Sequence, residues 1–412
     1  MTPTPVKIVT DPDLGAFTAE AEAFLSAHAG PRPPASENGR GGGSDRVWLF
    51  AEPPPEEEQA LLEAARDWRR AVFDAGFGWI TGPPEYGGRG LPLPYERAWQ
   101  QLERRYDTPG RGPFNIGVGM VAPTILAHGS ETAKARYLAA LHRGDVIGCQ
   151  LFSEPGVGSD LASVATTAVA DGEGWRVNGQ KVWTSGAHYS DIGLLLTRTA
   201  TGPRHGNLSA FVVDMHASGV EVRPLRQMTG DAAFNEVFLT EVWIPDDHRL
   251  GAVHDGWRVA LTTLMNERAA VGAGGAGGAG VLSTKRLVAL ARHCGVADDP
   301  VIRQTIADLH TRLSVARYSR LRAEARRRAG QPPGPEMSTA KLALTENLAR
   351  LSAFVTAVLG PRLIADTGEW GTYAWAEFVL GVPGLRLGGG TDEIQRNIVA
   401  ERVLGLPRDP AS

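Results

Sequence analysis

Gln150-Leu-Phe-Ser-Glu-Pro-Gly-Val-Gly-Ser-Asp160 and, further on, Asn178-Gly-Gln-Lys-Val-Trp-Thr-Ser185 lie where the periodicity of the chain changes. Before them, apolar residues recur at helical spacing. Residues 13–29 read as a short helix, Pro55 to Ala75 as a second, Pro94 to Tyr106 as a third and Val121 to Ala140 as a fourth. Near Gly148 the pattern shortens. Ser163 to Ala170 alternates, Asp171 to Gly174 is a turn, and Trp175 to Trp183 resumes a strand with a second turn at Asn178-Gly179. Residues 192–198, 208–214, 220–223 and 236–240 continue as short strands, giving an antiparallel β domain. From Gly256 helical spacing returns and lasts to Leu404. Helices, strands and helices in blocks predict segregated layers and not alternating βαβ units. The expected organisation is an α+β chain with helices over 1–145, strands over 146–250 and helices over 251–412.

Composition narrows the function classes. The 412 residues suffice for two or three domains. A net charge of −4 and a pI near 6.2 favour neither nucleic acid nor an anionic membrane surface. Cys149 and Cys294 have no metal-ligand spacing and form no disulfide framework. No apolar run reaches the ~18 residues of a membrane span. The first residues lack a basic segment followed by an apolar core, so a cytoplasmic location is expected. Residues 30–58 are Pro/Gly-rich and polar and read as a loop or insertion.

Gly272-Ala-Gly-Gly-Ala-Gly277 matches G-x-G-x-x-G, with Asp298 about 20 residues on, as a dinucleotide-binding turn would have. The preceding residues, Asn266-Glu-Arg-Ala-Ala, continue a helical pattern and supply no strand, and the tract runs on as low complexity to Gly280. A helix with a small-residue face is the better reading. Such a face leaves room for close packing or for a bulky ligand.

The two quoted stretches supply what a flavin requires: hydrogen-bond donors for the ring carbonyls and the N5 edge, and a flat wall on one face. They resemble the acyl-CoA dehydrogenase family. Ser153 to Asp160 is similar to its Thr/Ser-Glu-Pro-x-x-Gly-Ser-Asp segment, and Trp183-Thr184-Ser185 to its Trp-x-Thr/Ser. Pro84-Glu-Tyr-Gly-Gly88 and Gly390-Thr-Asp-Glu-Ile-Gln-Arg396 resemble its N- and C-terminal landmarks. The resemblance covers roughly residues 60–407. It implies FAD as cofactor, a β-barrel-like middle domain and a C-terminal four-helix bundle. It also implies that Gln150, Phe152 and Ser153 contact the isoalloxazine, that Trp183 packs beside it and that Ser185 hydrogen-bonds near N5. Thr391 and Glu393 are implied to lie near the flavin, and Ser159 to bind the CoA portion of the substrate.

Dehydrogenation between the α and β carbons of a thioester needs a carboxylate to take the α-proton. Many family members carry that glutamate where this chain has Gly389. Members similar to isovaleryl-CoA dehydrogenase place it on the first helix of the C-terminal domain before an arginine, and Met265-Asn266-Glu267-Arg268 fits that placement. Glu267 is thus the expected base and Arg268 a substrate or structural contact. Backbone N–H groups near Gly389 and Gly390 remain available to polarise the thioester carbonyl. The resemblance further implies an electron-transferring flavoprotein as acceptor and a homodimer or homotetramer. The family's Arg-x-x-Phe-Gly segment, which reaches a neighbouring subunit's FAD, corresponds to Ala291–Pro300, and no phenylalanine is present there. A heteromer with a paralogous subunit is therefore a second expectation. The same fold also serves flavin monooxygenases and oxidases, and a flavin-poor partner subunit would carry the same departures.

Overall fold

A computed structural model describes residues 13–33, 47, 55–270, 283–328, 334, 336–369 and 371–408. The glycine tract Gly272–Gly280 and most of 30–58 lie outside the described residues. The N-terminal part is helical: α1 (Leu14–His28), α2 (Pro55–Asp74), α3 (Leu93–Glu103), α4 (Ala122–His128) and α5 (Glu131–Arg143). Phe17, Leu25, Trp68, Phe77, Ile80 and Trp99 form its core. The expected single helix over 121–140 is two. Gly129 adopts an extended conformation and Ser130 restarts the helix, its hydroxyl accepting from the Ala133 N–H at 3.1 Å.

Eight strands follow: β1 (Gly148–Leu151), β2 (Thr167–Asp171), β3 (Gly174–Ser185), β4 (Ile192–Arg198), β5 (Leu208–Asp214), β6 (Val220–Leu225), β7 (Phe234–Pro245) and β8 (Arg249–Leu250). They form one sheet in the order β6-β7-β3-β2-β4-β5-β8, with β1 beside β4. Most pairs are antiparallel, but β1 and the start of β2 pair β4 in parallel, so the sheet is mixed. β1 enters from the helical part and β4 returns after the β2–β3 hairpin, which leaves both running the same way. The expected turn at Asn178-Gly179 is instead a shift of register inside a continuous β3. Val177 faces Val242 while Gly179 faces Leu239, so β7 carries the extra residue, and Glu241 there has φ 52°. The Asn178 side chain fills the gap, bonding both Glu241 Oε1 (2.5 Å) and the Glu241 N–H (2.9 Å).

The C-terminal part comprises α6 (Gly256–Ala270), α7 (Thr284–His293), α8 (Pro300–Arg328), α9 (Glu336–Leu359), α10 (Ala376–Leu385) and α11 (Asp392–Arg402). Leu287, Leu290, Leu348, Leu351, Phe354, Trp375 and Phe378 pack its core. Met337–Leu363 is, by length and composition, apolar enough to cross a membrane, where the sequence reading expects no such stretch, because charged residues such as Lys341 and Glu346 are spaced along it. It is also the central helix of this bundle, with Leu348, Leu351 and Val355 almost fully buried.

One core joins the parts. Val121, Ile125, Leu138 and Leu141 from the N-terminal helices meet Leu194, Leu196 and Val212 from the sheet and Val259 and Ala260 from α6. Gly256 lets α6 come this close, since a Cβ there would lie 2.6 Å from the Ser209 backbone nitrogen.

Candidate active site

β1 carries Gln150 and ends at Leu151; Phe152 is then buried and Ser153 half-buried. The Ser153 carbonyl accepts from the Val182 N–H at 2.9 Å. The two quoted stretches are thereby stitched together one residue before Trp183. Of the amides in the Glu154-Pro-Gly turn, that of Glu154 is not presented outward, because it and the Val157 amide each donate to the other's carbonyl at 2.9 Å.

A buried ion pair, which sequence reasoning missed, lies beneath this junction. Lys181 in β3 is fully buried. Its Nζ donates to the Phe152 carbonyl (3.1 Å), the Leu196 carbonyl (2.7 Å) and Glu154 Oε1 (2.8 Å). Glu154 in turn accepts from the Ala165 N–H at 2.6 Å and the Thr166 N–H at 2.9 Å. Burial pulls the Lys181 ammonium down to about 8 against the attraction of Glu154. Burial alone would raise the Glu154 carboxyl, but Lys181 and the loop amides hold it below its ordinary value. Both groups are charged at neutral pH. The available signal was a lysine inside a strand next to Val182, and a lysine buried there demands an internal partner.

Just beyond Lys181 the strand bulges. Lys181 faces Val237 and Thr184 faces Asn235, so three steps on β3 match two on β7. The extra residue turns Trp183 outward at φ 61°, leaving it 57% exposed. The indole meets Phe234 edge-on, with ring centroids 5.9 Å apart. Ser185, half-buried, ends β3 opposite Phe234.

Glu267 lies on α6, half-buried, and Gln150 Nε2 donates to its Oε2 at 3.5 Å. The first C-terminal helix thus brings its glutamate to the strand that leads into Ser153. Two contacts set the rotation of α6. The buried Thr263 and Thr124 hydroxyls are 3.0 Å apart, and His128 Nε2 lies 2.7 Å from the Thr262 hydroxyl. Thr263 precedes Glu267 by one helical turn, on the same face. Arg268 belongs to α6, but its side chain lies outside the described residues.

Ser159 is exposed in the loop after Glu154, and its neighbour Asp160 pairs with Arg204 and accepts from the Ser163 hydroxyl at 2.5 Å. Thr391 is the N-cap of α11 and Glu393 lies in its first turn. Thr391 caps that helix, accepting from the Ile394 N–H at 3.2 Å, and Glu393 pairs with Arg396 at 3.1 Å. Between them Asp392 is buried against Lys341, Thr345 and Arg386 at 3.0, 2.9 and 2.8 Å. Gly389 and Gly390 have φ 67° and 83°, and the Gly389 carbonyl accepts from Gln395 Nε2 at 2.9 Å. Among the described residues there is no cluster of three metal-ligating side chains.

An exposed indole held in a left-handed backbone conformation, next in the chain to the Val182 amide that bonds the Ser153 carbonyl and two residues before Ser185, offers a flat wall with hydrogen-bonding groups near it. Those features fit an isoalloxazine ring. The described residues before the glycine tract are helix, not the strand that a dinucleotide-binding turn follows.

Sequence comparison agrees. The profile of the acyl-CoA dehydrogenase N-terminal domain matches residues 50–145, that of the middle domain 149–242 and that of the C-terminal domain 254–404. The acyl-CoA dehydrogenase IpdE1 of Mycobacterium tuberculosis is 39% identical over 86% of this chain and 91% of its own. The chain belongs to the acyl-CoA dehydrogenase family. Acyl-CoA dehydrogenases are FAD-dependent oxidoreductases, so this chain is one and its cofactor is FAD. It is also similar to FadE34 of the same organism, at 40% identity over 86% of this chain and 47% of that longer protein. Among solved structures, a steroid acyl-CoA dehydrogenase, Tcur3481-Tcur3483, aligns with a TM-score of 0.73 at 27% identity, covering 97% of this chain and 99% of the other. The ChsE4-ChsE5 complex from Mycobacterium tuberculosis aligns with a TM-score of 0.69 at 25% identity, covering 98% and 100%.

Proposed function

We propose that the chain removes hydrogen across the α and β carbons of a saturated acyl-CoA thioester, with Glu267 as the base. The observation that carries this reading is the contact between Glu267 and Gln150, which sets a carboxylate against the strand leading to Ser153 and Trp183. FAD, when bound, supplies the acceptor for the hydride that leaves the β-carbon. Trp183, Ser153 and Ser185 hold and orient that cofactor, with Gln150 and Phe152 beside them and Thr391 and Glu393 contributing from α11. Ser159 engages the CoA arm, and backbone N–H groups near Gly389 and Gly390 polarise the thioester carbonyl. Glu267 takes the α-proton, and Arg268 steadies the substrate or the base. The electrons pass to an electron-transferring flavoprotein.

Two further details belong to the proposal. The acyl group is bulky and ring-bearing, a reading supported by the solved relative described as a steroid acyl-CoA dehydrogenase. The working assembly pairs this chain with a paralogous subunit. Two solved relatives each join two differently named chains, and the 291–300 segment here lacks the family's phenylalanine.

Anaerobic mixing with a panel of acyl-CoAs tests the reading. Loss of the flavin band near 450 nm is expected with a ring-bearing thioester. In Glu267→Gln the rate should fall at least about a hundredfold, the scale of a lost general base. Undiminished bleaching in that variant would rule out Glu267 as the base.

A further inference from the structure

The ion pair of Lys181 and Glu154 ties together two regions to which the proposed function gives different tasks. On one side, Lys181 fixes the Phe152 carbonyl, and the adjacent Val182 N–H fixes the Ser153 carbonyl, so the wall that ends in Trp183 is locked to β1. On the other, both carboxylate oxygens of Glu154 hold the amides of Ala165 and Thr166. That segment lies a few residues after Ser159 and Asp160, and the stretch between is gripped by Arg198, which donates to the carbonyls of Val164 and Ala162 at 3.0 and 3.2 Å. Glu154 belongs to the turn between Ser153 and Ser159, so the pair stands between the flavin wall and the loop assigned to CoA. Glu154 is 7% exposed and Lys181 0%, so neither charge has water as an alternative partner.

We infer that Lys181 and Glu154 are positioning residues that couple cofactor binding to CoA binding. Seating the ring against Trp183 orders the 153–185 junction, and the shared ion pair carries that order into the 159–166 loop. Binding one ligand then lowers the conformational cost of binding the other, and the coupling is reciprocal. The inference rests on the assignment of FAD to Trp183 and of CoA to Ser159.

The primary variant is Lys181→Met with Glu154→Gln. Removing both charges together avoids stranding either one in the core. Glu154→Gln alone is the second variant. It leaves Lys181 bonded to two carbonyls but takes one acceptor from the loop amides. The first measurement needs no cofactor: amide hydrogen exchange of the apoprotein should accelerate in both 161–166 and 180–185 in the double variant, and mainly in 161–166 in Glu154→Gln. The second is the dissociation constant of free CoA, which has no acyl chain to lie on the ring, with and without saturating FAD. In the wild type FAD should tighten CoA binding by about fivefold or more, and in the double variant the ratio should fall toward one.

A ratio that stays within about twofold of wild type overturns the coupling. So does exchange that accelerates throughout the β domain, which would make the pair ordinary support for the core. A wild-type chain that binds neither FAD nor CoA overturns the functional assignment itself. The exchange measurement still reports separately whether the pair links the two segments.

Discussion

Trp183 shows what the proposed flavin wall costs at the level of one residue. A left-handed backbone at a non-glycine residue costs of order 1–3 kcal/mol, and this indole recovers little by burial because it is 57% exposed. Trp183→Gly should therefore change apoprotein unfolding stability in urea by less than about 1 kcal/mol, since relief of strain offsets the lost contact with Phe234. Its affinity for FAD should drop at least about tenfold, which fluorescence titration measures. A variant that unfolds readily yet binds FAD normally would make Trp183 a packing residue. Glu267 presents the opposite case. Its family placement was readable from Met265-Asn-Glu-Arg268, but its contact with Gln150, 117 positions earlier, was not.

Among the elements, α5 carries two separable tests. Ser130 caps the helix and its hydroxyl also donates to the Asp247 carbonyl at 3.1 Å. Ser130→Ala should cost about 1 kcal/mol of unfolding stability, read from the urea midpoint. His142, near the end of the same helix, is buried with its ring stacked on Trp79 at 3.9 Å between centroids. Burial, reinforced by Arg69, lowers its pKa to about 3. Its folded value thus lies below the ordinary 6.5 of the unfolded chain. Between these values only the unfolded chain binds the proton, so stability is full above pH 6.5 and declines toward pH 3, by at most about 1.4 kcal/mol per unit. His142→Asn should flatten the fall between pH 6.5 and 5 relative to wild type in parallel urea melts. An unchanged slope would mean that this histidine does not stay neutral in the fold. His128 and His248 are lowered as well, which is why the comparison is with wild type and not with a flat line.

For the whole molecule, the shared core around Leu194, Leu138 and Val259 explains why a site can draw on a strand from one part and a helix from another. The proposed pairing with a paralogous subunit is tested by co-purification. FAD retained per chain should be low when this chain is purified alone and should rise when the paralogue is present, as absorbance and light scattering together report. A yellow homo-oligomer with a full complement of FAD would remove the case for a second subunit.

Local pattern was enough to read the helical and strand blocks and the family resemblance of the two quoted stretches, because period and turn chemistry depend on neighbours in the chain. It failed where two distant segments negotiate. The shift at Asn178-Gly179 is set by the extra residue on β7, and the parallel pairing of β1 depends on where β4 returns. What the chain alone determined was its kinship and the types of residue offered to a flavin. Tertiary structure decided which of them meet. The Lys181–Glu154 pair, the outward turn of Trp183 and the approach of Glu267 to Gln150 arise only when β3, β7 and α6 are packed, because a buried charge, a bulge and a helix's rotation are each fixed by partners remote in sequence.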